Sequence, residues 1–169
     1  MLVKHLLGLD VSPSFDKTTS HPFLKAIGEK RVSKDALVHY LAQVYAVVSY
    51  TYPRFIAELT AKLPPITPSP FPVSPNTTPG VGRKALELFA LVSTNLVLEL
   101  KFIEETVQKN LGVKFEDFES AVRIEPKETR LYVGELARVS SWASFEEGLV
   151  LLWAVEKVTR FLVFKWSFI

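Results

Sequence analysis

Apolar residues recur every three or four positions along most of the chain, the period of a helix that buries one face. Residues 1–12 read as a short helical arm with Leu2, Leu6 and Leu7 on its apolar side. In HPFLKAIG, Pro22 suits a first helical turn and Gly28 a C-terminal stop. Ser33 is placed to cap a second helix, whose buried face carries Leu37, Leu41, Val44, Val48 and Phe55. Pro53 should kink that helix, because it lacks a backbone donor and crowds the preceding turn. The neighbouring face carries Tyr40, Gln43, Val47, Tyr50 and Arg54, and an exposed helix flank explains it as well as a site does.

From Pro64 to Gly80 the helical period vanishes, and seven of the eleven prolines fall in this stretch. It reads as an extended, stiff connection within the domain. Residues 81–111 then predict the longest helix, roughly 45 Å at 1.5 Å per residue. This helix is apolar on more than one side, and Gly112 ends it. Leu88, Val92, Asn95, Glu99, Phe102 and Thr106 share one of its faces. A short amphipathic piece follows with Phe115, Phe118 and Val122, and then a helix over Glu128–Ser140 bearing Leu131, Tyr132, Leu136 and Val139.

The last helix starts at Ser144, where Ser144 and Glu147 have the spacing of a capping box. Phe145, Leu149, Leu152, Glu156 and Val163 occupy one wedge of it, so a carboxylate sits inside an apolar stripe. Such a group must raise its pKa, find a partner or do chemistry. Arg160, one turn on, offers a structural ion pair. No period-two alternation is long enough for a sheet, so the fold class expected is all-α, a helical bundle in one domain over 1–169 with a Pro-rich connector at 64–80.

Composition narrows the function classes. Lys plus Arg number 20 against 18 Asp plus Glu, without a basic block, which argues against nucleic acid as a partner. Cysteine is absent, which removes disulfides, thiolate nucleophiles and Cys-ligated metals. One Met and no Cys also fit a thermophile. The N-terminus lacks a signal-peptide pattern, and apolar runs break before the ~18 residues of a membrane span, so a soluble cytoplasmic protein is expected. His5, His21 and His39 are scattered, with no metal spacing, and no Gly-rich phosphate loop is present. No cofactor or metal is called for. Chemistry could instead reside in Asn95, Glu99, Tyr132 and Glu156, which lie on three helices. An aromatic ring can stack on a flat ligand, and a carboxylate can bind its N–H groups or act as acid–base. Core packing explains Tyr132 equally well.

Three phrases, HPFLKAIGEKRVSKDALVHYLAQVY, ELKFIEETVQKNLG and RLYVGELARVSSWASFEEGLVLLWAVEKV, resemble the TenA family in order and spacing. The resemblance runs from about His21 to Val158. It implies a bundle of the heme-oxygenase-like type, here shortened at the C-terminus, and a homo-oligomer. It also implies a hydrolase of the aminopyrimidine aminohydrolase or thiaminase II type, acting in thiamin salvage on a small aminopyrimidine without a cofactor.

Residue by residue, the resemblance carries over unevenly. The family's Gln-Asp pair, whose Asp holds the amino-pyrimidine edge, falls on Gln43 and Val44, and a Tyr three residues later falls on Val47. The stacking aromatic is matched by Tyr132. The nucleophilic Cys falls on Val155 and the Tyr one turn on from it on Thr159. A subgroup without that Cys carries a glutamate in a phrase that WAVEKVT resembles, which aligns Glu156 with the catalytic acid–base. The family's late catalytic Glu lies in helices beyond the matched stretch. The resemblance thus implies Glu156 as catalytic and Tyr132 and Gln43 as ligand-binding, while helix facing alone adds Glu99 and Asn95. The valine replacements equally suit a non-catalytic ligand-binding protein or an oligomeric scaffold.

Overall fold

A computed structural model describes residues 21–66, 80–123 and 126–166, with side chains to residue 158. The expected N-terminal arm, most of the Pro-rich connector, and the side chains of Thr159, Arg160 and Val163 lie outside the described residues. All regular structure among the described residues is helical. The order is α1 (Pro22–Gly28), α2 (Lys34–Ala46), a π-helical turn (Val47–Thr51), α3 (Tyr52–Ala61), α4 (Val81–Glu105), a second π-helical turn (Thr106–Asn110), α5 (Phe115–Val122), α6 (Lys127–Trp142) and α7 (Phe145–Trp166). None of these helices is long and apolar enough to cross a membrane.

The chain divides into two units, Met1–Leu37 with Val150–Ile169, and Val38–Leu149. In the first unit, His21 caps α1 by accepting a hydrogen bond from the Phe23 amide at 3.2 Å. That capping role accounts for this histidine without a metal. The sequence places a glycine stop at Gly28, but the left-handed residue is Lys30, with φ 55°. The Arg31 amide donates to the Ala26 carbonyl and the Lys30 amide to that of Ile27, both at 2.9 Å. This is the hydrogen-bond pair of a Schellman motif with lysine where glycine is usual. At the start of α2, the Ser33 hydroxyl accepts from the Ala36 amide at 3.3 Å, as its position in the sequence predicts.

The second unit is built around α3. Tyr52, Phe55, Ile56 and Leu59 are buried there, and the Tyr52 and Phe55 rings stack with centroids 5.9 Å apart. This helix packs on both α4 and α6, and so does the π turn before it. Pro53 explains that turn. In α register the Ser49 carbonyl would look to residue 53, which has no N–H. The ladder widens instead, and the Tyr52 amide donates to the Val47 carbonyl. A π register thus precedes Pro53 and shifts the phase of α3 relative to α2.

One lysine ties two helices of this unit at their C-termini. The ammonium of Lys62, at the end of α3, donates to the Ser140 and Ala143 carbonyls at the end of α6, the latter at 2.8 Å. The Ser140 carbonyl lies in the last turn, at the negative end of the helix dipole, and Ala143 follows it in extended backbone. At the start of α7, Ser144 and Glu147 form both bonds of the predicted capping box, at 2.8 and 3.2 Å. The bonds from Ser144 hold the Glu147 carboxyl below its usual pKa. Backbone packs tightly at Gly82, where a methyl group would overlap the Pro64 carbonyl oxygen.

Lys62→Met should destabilise the protein by about 1–2 kcal/mol, since it leaves two part-buried carbonyls unpaired. Chemical denaturation checks this. By contrast, Lys30→Gly should stabilise by about 0.5–1 kcal/mol, because glycine enters the left-handed region without steric cost. Its Tm should rise.

Candidate functional site

The sequence-predicted residues fall in both units: Gln43, Asn95, Glu99 and Tyr132 in the second, Glu156 in the first. Their surroundings differ. Asn95 is exposed on α4, Glu99 is half-buried one turn later, and Tyr132 is on the exposed side of α6 at 37%. Gln43 is half-buried on α2, and its carboxamide oxygen is a buried acceptor. Glu156 is half-buried on α7, as is Val155 beside it. The side chain of Arg160, its suggested ion-pair partner, lies outside the described residues.

What the second unit does bring together is the polar flank of α2 and the middle of α4. Burial pushes the Tyr40 phenol above its ordinary pKa, and the nearby Glu99 carboxylate adds to the shift by disfavouring a second negative charge. Gln43 follows Tyr40 by three residues, which places both on one side of α2. Val44 and Val47, further along the chain, are half-buried. The π turn over Val47–Thr51 immediately follows and packs on α4 and on α6, the helix that bears Tyr132. Interruptions of this kind re-aim side chains, and they occur often at functional sites.

Further along the same flank, the Arg54 guanidinium lies 3.8 Å above the centre of the Tyr50 ring. Both residues are exposed, and the stack is a cation–π pair at the surface. The two residues are four positions apart and share one face in the sequence pattern, the spacing that lets helical neighbours meet.

One phenol–carboxylate hydrogen bond was not legible in the sequence. The Tyr45 hydroxyl donates to Glu104 at 3.0 Å, across 59 residues of chain. Phe115 and Phe118 meet the Tyr45 ring edge-on at 6.1 and 5.5 Å. Burial, the hydrogen bond to Glu104 and the charges of Glu104 and Glu119 push the Tyr45 pKa up to about 12. The neutral phenol is a donor to a carboxylate, which suits a tie between α2 and α4 rather than a nucleophile.

Among the described residues no group of three or more His, Cys, Asp or Glu could hold a metal ion. The arrangement of Tyr40, Gln43 and Glu99 can instead offer donors and an acceptor to a small polar ligand. Compared with known proteins, the chain matches no family model, no curated sequence and no solved structure.

Tyr45 yields a pH test with a definite sign. Its folded pKa lies above the ordinary 10.0, so its stabilising contribution is complete below pH 10 and is lost as pH rises through about 12. In spectrophotometric titration, Tyr45→Phe should remove a late-ionising phenol and flatten the alkaline fall in stability.

Proposed function

We propose that this chain is a TenA-like protein of thiamin pyrimidine salvage, and that its ligand is a small aminopyrimidine. The observation that carries the reading is the desolvated Tyr40 phenol beside the Glu99 carboxylate, on the flank that also presents Gln43. An aminopyrimidine offers an exocyclic N–H donor next to a ring-nitrogen acceptor. A carboxylate can take the donor, and a carboxamide or phenol can serve either atom. Tyr132 is the group the resemblance assigns to stacking on the ring, and it stands on a helix that packs against the π turn.

The resemblance, and not the geometry, assigns acid–base work to Glu156, which the structure places in the first unit. A carboxylate in that role takes a proton from water as the water oxygen bonds to the carbon carrying the amine. It returns the proton to nitrogen as the C–N bond breaks, and ammonia leaves. A second reading, a binder without turnover, is favoured by specific residues. Val44, Val47 and Val155 stand where the resemblance places Asp, Tyr and Cys, and valine neither hydrogen-bonds an amidine edge nor activates a nucleophile.

Calorimetric titration with 4-amino-5-hydroxymethyl-2-methylpyrimidine and its aminomethyl analogue, with ammonia assayed in the same samples, separates these readings. Binding is expected, and Glu99→Gln should weaken it by roughly 5- to 100-fold, the loss for a charged hydrogen bond to a desolvated group. Ammonia release abolished by Glu156→Gln, with binding retained, would assign the acid–base. Binding without release selects the binder. Absence of heat with both compounds would overturn the aminopyrimidine reading.

A further inference from the structure

Between α2 and α4 the second unit repeats one relation at matched steps. Tyr40 feels the charge of Glu99, and five residues further along both helices Tyr45 donates a hydrogen bond to Glu104 at 3.0 Å. Five residues are roughly 7.5 Å of helix. All four side chains are half-buried. Close backbone packing on α4 comes from α3 and from the π turn at Val47–Thr51, whereas α2, ahead of that turn, reaches α4 through long side chains. The Tyr45 ring is met edge-on by Phe115 and by the fully buried Phe118, which fixes where its hydroxyl points.

Tyr45 and Glu104 each stand two residues before a π turn. Such a turn changes the phase of a helix, so the packing of α3 behind it does not by itself set the rotation of α2 ahead of it. A phenol donating to a carboxylate makes a charge-assisted bond, stronger than a neutral one, and a bond between separate helices resists the rotation of either. We propose that the Tyr45–Glu104 hydrogen bond is a positioning contact: it fixes the rotation of α2 against α4, and so sets how Tyr40 and Gln43 approach Glu99. Tyr45 and Glu104 touch no ligand in this role. They act through Tyr40 and Glu99, the residues five positions earlier on their own helices. The effect on a ligand rests on the aminopyrimidine reading, whereas the placement of Tyr40 does not.

Two readouts test this, and only one uses the ligand. With tyrosine labelled at Cζ, NMR titration follows each phenol of the full chain, and Tyr40→Phe assigns the Tyr40 signal. Burial and Glu99 raise the ionisation of Tyr40 above 10.0, so Tyr45→Phe, which removes no charge, should move it down toward that value. Glu104→Gln, whose amide oxygen still accepts from the phenol, should leave Tyr40 in place. In calorimetry with 4-amino-5-hydroxymethyl-2-methylpyrimidine, Tyr45→Phe should weaken binding by roughly 2- to 30-fold, the range for residues that act on a site without touching its ligand. Glu104→Ala should match it in both readouts, the double variant should bind no more weakly than either, and Glu104→Gln should bind as the native chain does. Lys62→Met, which unties α6 rather than α2, controls for general loosening and should leave both readouts unchanged. A Tyr40 ionisation unmoved by Tyr45→Phe would overturn the positioning role, and so would one moved as far by Lys62→Met. Native protein that gives no heat would count against the aminopyrimidine instead, and the Tyr40 titration would still decide the positioning role.

Discussion

The second unit depends on the burial of α3 between α4 and α6, and that burial depends on how α3 is phased by the turn before it. Tyr52, Phe55, Ile56 and Leu59 recur at three- and four-residue spacing, and each is at most 5% exposed. Burying side chains of this size stabilises by about 1.5–3 kcal/mol each, so no single surface contact competes with them. The π turn at Val47–Thr51 sets the angular position of these residues relative to α2. A helix continued in α register from Ala46 would rotate the four out of line with α4 and α6, and it would also leave the Ser49 carbonyl facing a proline.

The same phase shift links the core to the candidate site. Tyr40 and Gln43 precede the π turn, Tyr50 and Arg54 fall within and after it, and the turn itself packs on α4 and α6. The polar flank of α2 is therefore held by residues whose own role is packing. Low solvation there raises the Tyr40 pKa, and it would also strengthen any hydrogen bond that Glu99 or Gln43 makes to a ligand. Tyr45 and Glu104 each lie two residues before a π turn, so their hydrogen bond joins the two widened turns.

Much of the local structure was legible because its causes are local. Ser33 and Ser144 cap helices through their own hydroxyls, and His21 caps α1 through its ring. Gly112, at φ 60°, closes the segment that begins with α4. The misses have physical reasons. Lys30 takes the left-handed position after α1 because the terminal hydrogen bonds of Ala26 and Ile27 fall there and not at Gly28. The face drawn on α4 through Leu88, Val92, Asn95, Glu99, Phe102 and Thr106 divides in the structure. Val92 and Thr106 are buried and Leu88, Asn95 and Phe102 exposed, because the packed face is rotated toward Phe89 and Leu96. Periodicity gives the stripe but not the side from which neighbours approach.

By itself the sequence determined an all-helical chain, most of its caps and the polar flank of α2, since spacing and capping chemistry act within a few residues. Tertiary structure alone decided that Tyr40 stands beside Glu99, that Tyr45 bonds to Glu104, that Lys62 closes the end of α6, and that one apolar face of α4 is buried while the next is not. Each of these joins residues distant along the chain, and which of them meet depends on the packing of whole helices rather than on any residue's own preference.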